Sequence, residues 1–129
     1  RSSDLFLAAT GKVIEVAENL QDAVTATSGS GPAYFFAFVE AMVAGAKSLG
    51  LSETDATTLT VQTIVGAAKL LDESGKSATT LRENVTSPNG TTAAALASFS
   101  ADDLNSMVAR AMKAASDRSQ EYFLRLPGK

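Results

Sequence analysis

The segment Asn84-Val85-Thr86-Ser87-Pro88-Asn89-Gly90-Thr91-Thr92 concentrates residue types that can hold an anion. Ser87 to Gly90 make a turn by composition, and Thr91 or Thr92 is placed to open a helix. Free backbone amides point out of a helix N-terminus, and the helix dipole favours negative charge there. Gly90 has no side chain to keep a ligand from the backbone. A carboxylate seated here would receive amide hydrogen bonds and one or two more from hydroxyls. Taken alone, a motif this short more often marks an ordinary loop whose threonine caps a helix.

Other candidates read as structural. Ser28-Gly29-Ser30-Gly31-Pro32 is a glycine-rich helix start whose serines are placed to cap orphan amides, but it is neither a dinucleotide fingerprint nor a phosphate loop. Phe35, Phe36 and Phe38 suit a core or a dimer interface. Glu40 lies in an apolar stretch, where an ion pair or partial exposure is expected of a carboxylate. Asp102 and Asp103 serve a helix start.

Composition removes several classes of chemistry. The 129 residues suit one domain, and 45% apolar with 19% charged residues is a globular balance. Net charge is −3 without basic clusters, so nucleic acid is not an expected partner. Cysteine and histidine are absent, which excludes an internal disulfide, the usual zinc ligands and histidine-based triads. A metal is not expected. The apolar stretch from Pro32 to Ala46, interrupted by Glu40, is too short to span a bilayer. No signal segment is expected, and a cytoplasmic location fits.

These residues need helices to position them. Asp4 to Thr10 predicts a short helix closed by Gly11. Lys12 to Glu18 reads as strand from its β-branched residues and as helix from its spacing, so local pattern leaves it open. Ala33 to Leu49 is apolar almost all round and must be surrounded by other helices, from this chain or a partner. Ser52, with Asp55, opens a second helix, in which Gly66 would admit another backbone, and Gly75 ends it. Ser77 to Thr86 predicts a shorter helix with Leu81 and Val85 inward. A further helix follows from Thr91 or Thr92. Ser100 with Asp103 predicts a capping box for the last helix, which runs to about Leu126 before Pro127 and Gly128. Lys113, Arg118 and Arg125 in its later part suit its dipole. The predicted fold class is all-α, a helical bundle that interlocks with a partner subunit.

Gly29-Ser30-Gly31-Pro32-Ala33-Tyr34, followed downstream by Val85-Thr86-Ser87-Pro88-Asn89-Gly90-Thr91-Thr92, resembles the pyrroline-5-carboxylate reductase family. Gly50-Leu51 and Gly66-Ala67-Ala68 between them agree. The resemblance covers nearly the whole chain. Asn89 departs from it, since many relatives carry glycine there; asparagine tolerates left-handed backbone better than most residues.

The resemblance implies a parent enzyme that reduces 1-pyrroline-5-carboxylate to proline with NADPH or NADH, the last step of proline synthesis. It implies a Rossmann domain followed by a helical domain through which two subunits interlock as a homodimer, with decamers in some members. Residues 1–22 would be the end of the Rossmann domain and its connection, and residues 23–129 the helical dimerisation domain. Ser87, Gly90, Thr91 and Thr92 would bind the small-molecule substrate, with Thr92 the catalytic threonine near the imine nitrogen and Asn84 on the cofactor side. No Gly-x-Gly-x-x-Gly occurs here, so no cofactor is expected on this chain alone, which is expected to be inactive. Two other readings stand beside this one. A non-enzymatic helical dimerisation or adaptor module accounts for the apolar helix but not for both turn motifs. The helical domain of another Rossmann reductase would need a catalytic lysine, for which Lys47 and Lys69 are the candidates, and neither sits in a matching motif.

Overall fold

The structure, a computed structural model, describes residues 3–7 and 12–124. A two-stranded antiparallel sheet precedes a series of helices. β1 (Ser3–Leu7) pairs antiparallel with β2 (Lys12–Val16), in a register that sets Leu5 opposite Ile14 and Phe6 opposite Val13. The ladder decides the stretch that local pattern left open: Lys12 to Val16 is strand. It also corrects the helix expected from Asp4, because residues 4–7 lie in β1. Helical spacing lost there to cross-strand pairing with a β-branched neighbour segment. Residues 8–11 of that expectation lie outside the described residues.

A 3₁₀ turn at Glu18–Leu20 leads into the short helix α1 (Gln21–Val24) and then a π-helical segment, Thr25–Gly29. The Ser30 amide reaches back five residues to the Thr25 carbonyl at 2.8 Å. Pro32 has no N–H to continue a regular ladder, which favours a widened turn at this point. The hydroxyls of Thr27 and Ser28 donate to the carbonyls of Ala23 and Val24 one turn behind. Ser28 is therefore spent on the preceding turn, which corrects the expectation that it caps the helix that follows.

That helix, α2, spans Gly31–Ser48, and Gly50 ends it at φ 109°, a conformation open to glycine. α3 (Glu53–Glu73) opens on Ser52, whose Oγ accepts from the Asp55 amide at 3.1 Å. α4 (Ala78–Asn84) opens the same way, from Ser77 to the Thr80 amide. α5 (Thr91–Ala101) and α6 (Leu104–Leu124) follow. Ser100 lies inside α5, so it caps nothing; instead the Asp103 amide donates to the Ser100 carbonyl while Asp103 takes φ 58°. The expected capping box is thus replaced by a tight turn in which Asp102, expected at a helix start, is the C-cap of α5 and Asp103 is left-handed. Arg125, Pro127 and Gly128 lie outside the described residues.

The described residues cluster in two compact units. One holds the chain up to Phe35 together with the chain from Asn105. The other is Phe36–Leu104. Among the described residues Ala26 and Ala56 are the buried apolar side chains, with Thr60 the buried polar one. Phe35 is 62% exposed, Phe36 69% and Leu49 88%. Val85, expected inward, is 64% exposed, whereas Leu81 is half-buried. Val85 follows the last residue of α4, where the helical stripe no longer governs direction. Each large apolar side chain left in water forgoes about 1.5–3 kcal/mol. Among the described residues no atom comes within 4 Å of where a Gly66 Cβ would stand, so none of them makes the close approach it permits.

Candidate functional site

The residues singled out from the sequence fall on one helix–turn–helix in the second unit. Asn84 is the last residue of α4. The chain leaves α4 through Thr86, whose amide donates to Glu83 O at 3.1 Å and whose hydroxyl donates to Arg82 O. Ser87, Pro88, Asn89 and Gly90 form the turn, closed by the Gly90 amide on Ser87 O at 3.0 Å. Asn89 takes φ 60°, the left-handed geometry that asparagine tolerates. Gly90 is extended at φ −88°, so its backbone does not require glycine, but a side chain there would be crowded. A Cβ there would stand 3.2 Å from Ser87 O and 3.4 Å from Ser87 Cβ.

Gly90 is also the N-cap of α5, which has no side-chain cap. This departs from the ordinary-loop reading, in which a threonine caps the helix. Thr91 and Thr92 are instead the first two helical residues. Gly90 O accepts from the Ala94 amide at 3.1 Å, so regular hydrogen bonding starts there. The amides of Thr91, Thr92 and Ala93 precede the first intrahelical bond and have no partner along the helix. Ser87 and Thr91 are exposed, while Gly90 and Thr92 are half-buried. The arrangement offers amides and hydroxyls to an anion across a gap that Gly90 keeps free of side chain.

Other candidates sit apart from this turn. Glu40 is exposed. Lys47 pairs with Glu53 at 2.8 Å and holds the Glu53 carboxyl below its ordinary range, through the hydrogen bond first and the ammonium charge second. Lys69 lines an open groove with Gly66, Leu70, Glu73 and Ser74 along the end of α3, and no turn residue contributes to it. No helix among the described residues is long and apolar enough to cross a membrane. Two contacts escaped sequence reasoning. Ser119 Oγ donates to Asp22 Oδ1 at 2.7 Å, and Tyr34 Oη donates to Ala26 O at 2.6 Å. The first joins residues 97 apart, a separation no local pattern records.

Known proteins resemble this chain in sequence and in shape. The family described as Pyrroline-5-carboxylate reductase dimerisation matches residues 18–122. A pyrroline-5-carboxylate reductase of Pseudomonas aeruginosa is 48% identical over 117 residues, which are 90% of this chain and 43% of that protein. The Arabidopsis thaliana reductase is 38% identical, over 91% of this chain and 42% of its own. Among solved structures, a pyrroline-5-carboxylate reductase from Coxiella burnetii aligns at TM-score 0.79 with 40% identity, covering 82% of this chain and 39% of that one. A Plasmodium falciparum pyrroline carboxylate reductase with NADP bound aligns at TM-score 0.78 with 33% identity, covering 82% of this chain and 43% of that one. The chain thus spans less than half the length of the relatives it matches. The match over residues 18–122 takes in both turn motifs and every helix from α1 to α5, and on it the chain belongs to the pyrroline-5-carboxylate reductase dimerisation family.

Proposed function

We propose that this chain is the dimerising and substrate-holding part of an enzyme that reduces 1-pyrroline-5-carboxylate to proline with NADPH or NADH. The observation that carries the proposal is the uncapped N-terminus of α5, with Gly90 pressed against Ser87, in a chain of this family. The substrate carboxylate is placed on the amides of Thr91 and Thr92, with the hydroxyls of Ser87 and Thr91 beside it. Thr92 is the residue proposed at the imine nitrogen. When bound, a nicotinamide cofactor would supply the hydride for the imine carbon; the chain's part is a hydroxyl, or a water held by one, that gives a proton to the imine nitrogen. Such a reaction needs position and electrostatics more than a strong base, which suits a chain without histidine. Asn84, at the end of α4, is proposed to face the cofactor. The cofactor itself belongs to a domain ahead of residue 23, of which residues 1–22 are the end.

The homodimer is proposed on the exposed apolar residues of α2 and α3. Phe35, Phe36, Met42, Leu59, Val65 and Leu70 cannot all remain in water in a stable domain. A second copy presents the same apolar residues and covers them symmetrically. The test is the complete protein, this chain with its upstream coding region, assayed for NADPH oxidation by 1-pyrroline-5-carboxylate. Turnover that disappears with Gly90→Val would support the reading. A complete, folded, dimeric protein without turnover would favour an adaptor module instead.

A further inference from the structure

Residues 17–30 connect β2 to α2, and side chains pin this connection at two places. Ser119, in the second half of α6, donates to Asp22 Oδ1 at 2.7 Å, and both groups are half-buried. This ties α1 to α6 by a hydrogen bond to a carboxylate, stronger than one between neutral groups. Tyr34, in the first turn of α2, donates to the carbonyl of buried Ala26 at 2.6 Å. This ties the π-helical segment to α2. A connection between domains ordinarily permits relative motion. One held to two helices has a fixed heading at the point where it leaves them.

Resting on the reductase reading above, we propose that Asp22 and Ser119 are positioning residues for the reduction. Their bond, supported by Tyr34 on Ala26, holds residues 18–30 rigid. A cofactor-bearing domain that ends in β1 and β2 therefore keeps a fixed orientation to α2 and α6, and the hydride donor returns to the same place in each cycle. Neither residue touches substrate in this account. Small displacements of a donor are costly to hydride transfer, so the effect belongs in kcat.

The experiment uses the complete reductase with Asp22→Ala, Ser119→Ala, the double variant and Asp22→Asn. It reads kcat, KM for the pyrroline carboxylate, amide hydrogen exchange over residues 18–30, and mass by light scattering. Each alanine variant should lose about three- to tenfold in kcat, with KM within about twofold of wild type and the dimer intact. The double variant should be no worse than the worse single one, because both remove the same bond. Asp22→Asn should stay near wild type, since its amide oxygen still accepts from Ser119. Exchange over residues 18–30 should rise in the alanine variants. Unchanged kcat and exchange, additive losses, or an asparagine variant as damaged as the alanine one would each overturn the proposal. If Asp22→Ala fails to fold, Ser119→Ala and Asp22→Asn decide it. A complete wild-type protein without turnover overturns the reductase reading and the positioning role together, while the exchange data still show whether the connection is pinned.

Discussion

The ring of Phe38 in α2 stands 6.0 Å from the ring of Phe99 in α5, tilted by 47°. Tilted aromatic pairs at this spacing contribute about 0.5–1.5 kcal/mol beyond their burial. The pair joins the apolar helix to the helix that begins at the candidate site, within one unit of the chain. Yet Phe38 remains 43% exposed, and Phe36 two residues earlier is more so. The chain alone makes the contact that orients α5 but does not cover α2.

A second copy should provide that cover. In solution the chain should be a homodimer burying more than about 2,000 Å² in total, as obligate interfaces do. Light scattering at micromolar concentration checks this, and a monodisperse monomer would refute it. Phe36→Asp should shift the mass towards monomer and lower Tm, because it sets a charge in a desolvated interface.

Substitutions at the α5 turn should separate substrate binding from folding. On the proposed reading, Thr92→Ala in the complete protein should remove one neutral hydrogen bond to the substrate of about 0.5–1.5 kcal/mol, a several-fold to roughly tenfold loss of kcat/KM. The fold should hold, since Thr92 does not cap the helix. Gly90→Val should cost more, because its Cβ would meet Ser87 O at 3.2 Å and its branches enter the space offered to the carboxylate. Steady-state kinetics beside thermal melts read both. Wild-type efficiency in two folded variants would remove the turn from the site.

The chain by itself should not oxidise NADPH in the presence of 1-pyrroline-5-carboxylate. It carries no glycine fingerprint, and its sheet among the described residues has two strands. An absorbance assay for loss of the reduced nicotinamide is sufficient. Turnover by the purified 129-residue chain would contradict this.

The Lys47–Glu53 pair makes a prediction about pH. Glu53 is lowered from its ordinary value by the Lys47 hydrogen bond and charge. A carboxyl lowered in the folded state stabilises above its unfolded pKa and loses that contribution as pH falls through the folded one. The pair is exposed, so its effect on stability should be small. NMR titration should show the Glu53 carboxyl ionising at lower pH than in Lys47→Ala. Identical titration in the two proteins would show that the pair does not persist in solution.

Much of this protein was decided by neighbouring residues along the chain, and those parts were legible. Ser52 and Ser77 cap α3 and α4 because a cap is a bond across three residues. Gly50 and Gly75 end α2 and α3 because their positive φ is open to glycine. The turn at Ser87 to Gly90 follows from proline, asparagine and glycine in order, and Asn89 adopts the left-handed backbone expected of it. What failed to read was what depends on distant partners. Residues 4–7 carry helical spacing yet form β1, because a strand is specified by the segment it pairs with. Ser100 and Asp103 have cap spacing, but α5 continues through Ser100 because its own backbone ladder outweighs a local side-chain bond. Asp22 and Ser119 meet across 97 residues, and only the path of the chain through α6 brings them together. The exposed face of α2 was readable as apolar, but the absence of cover from this chain's own helices is a property of tertiary packing. Hydrophobicity states that a surface must be buried, and geometry alone states by which chain.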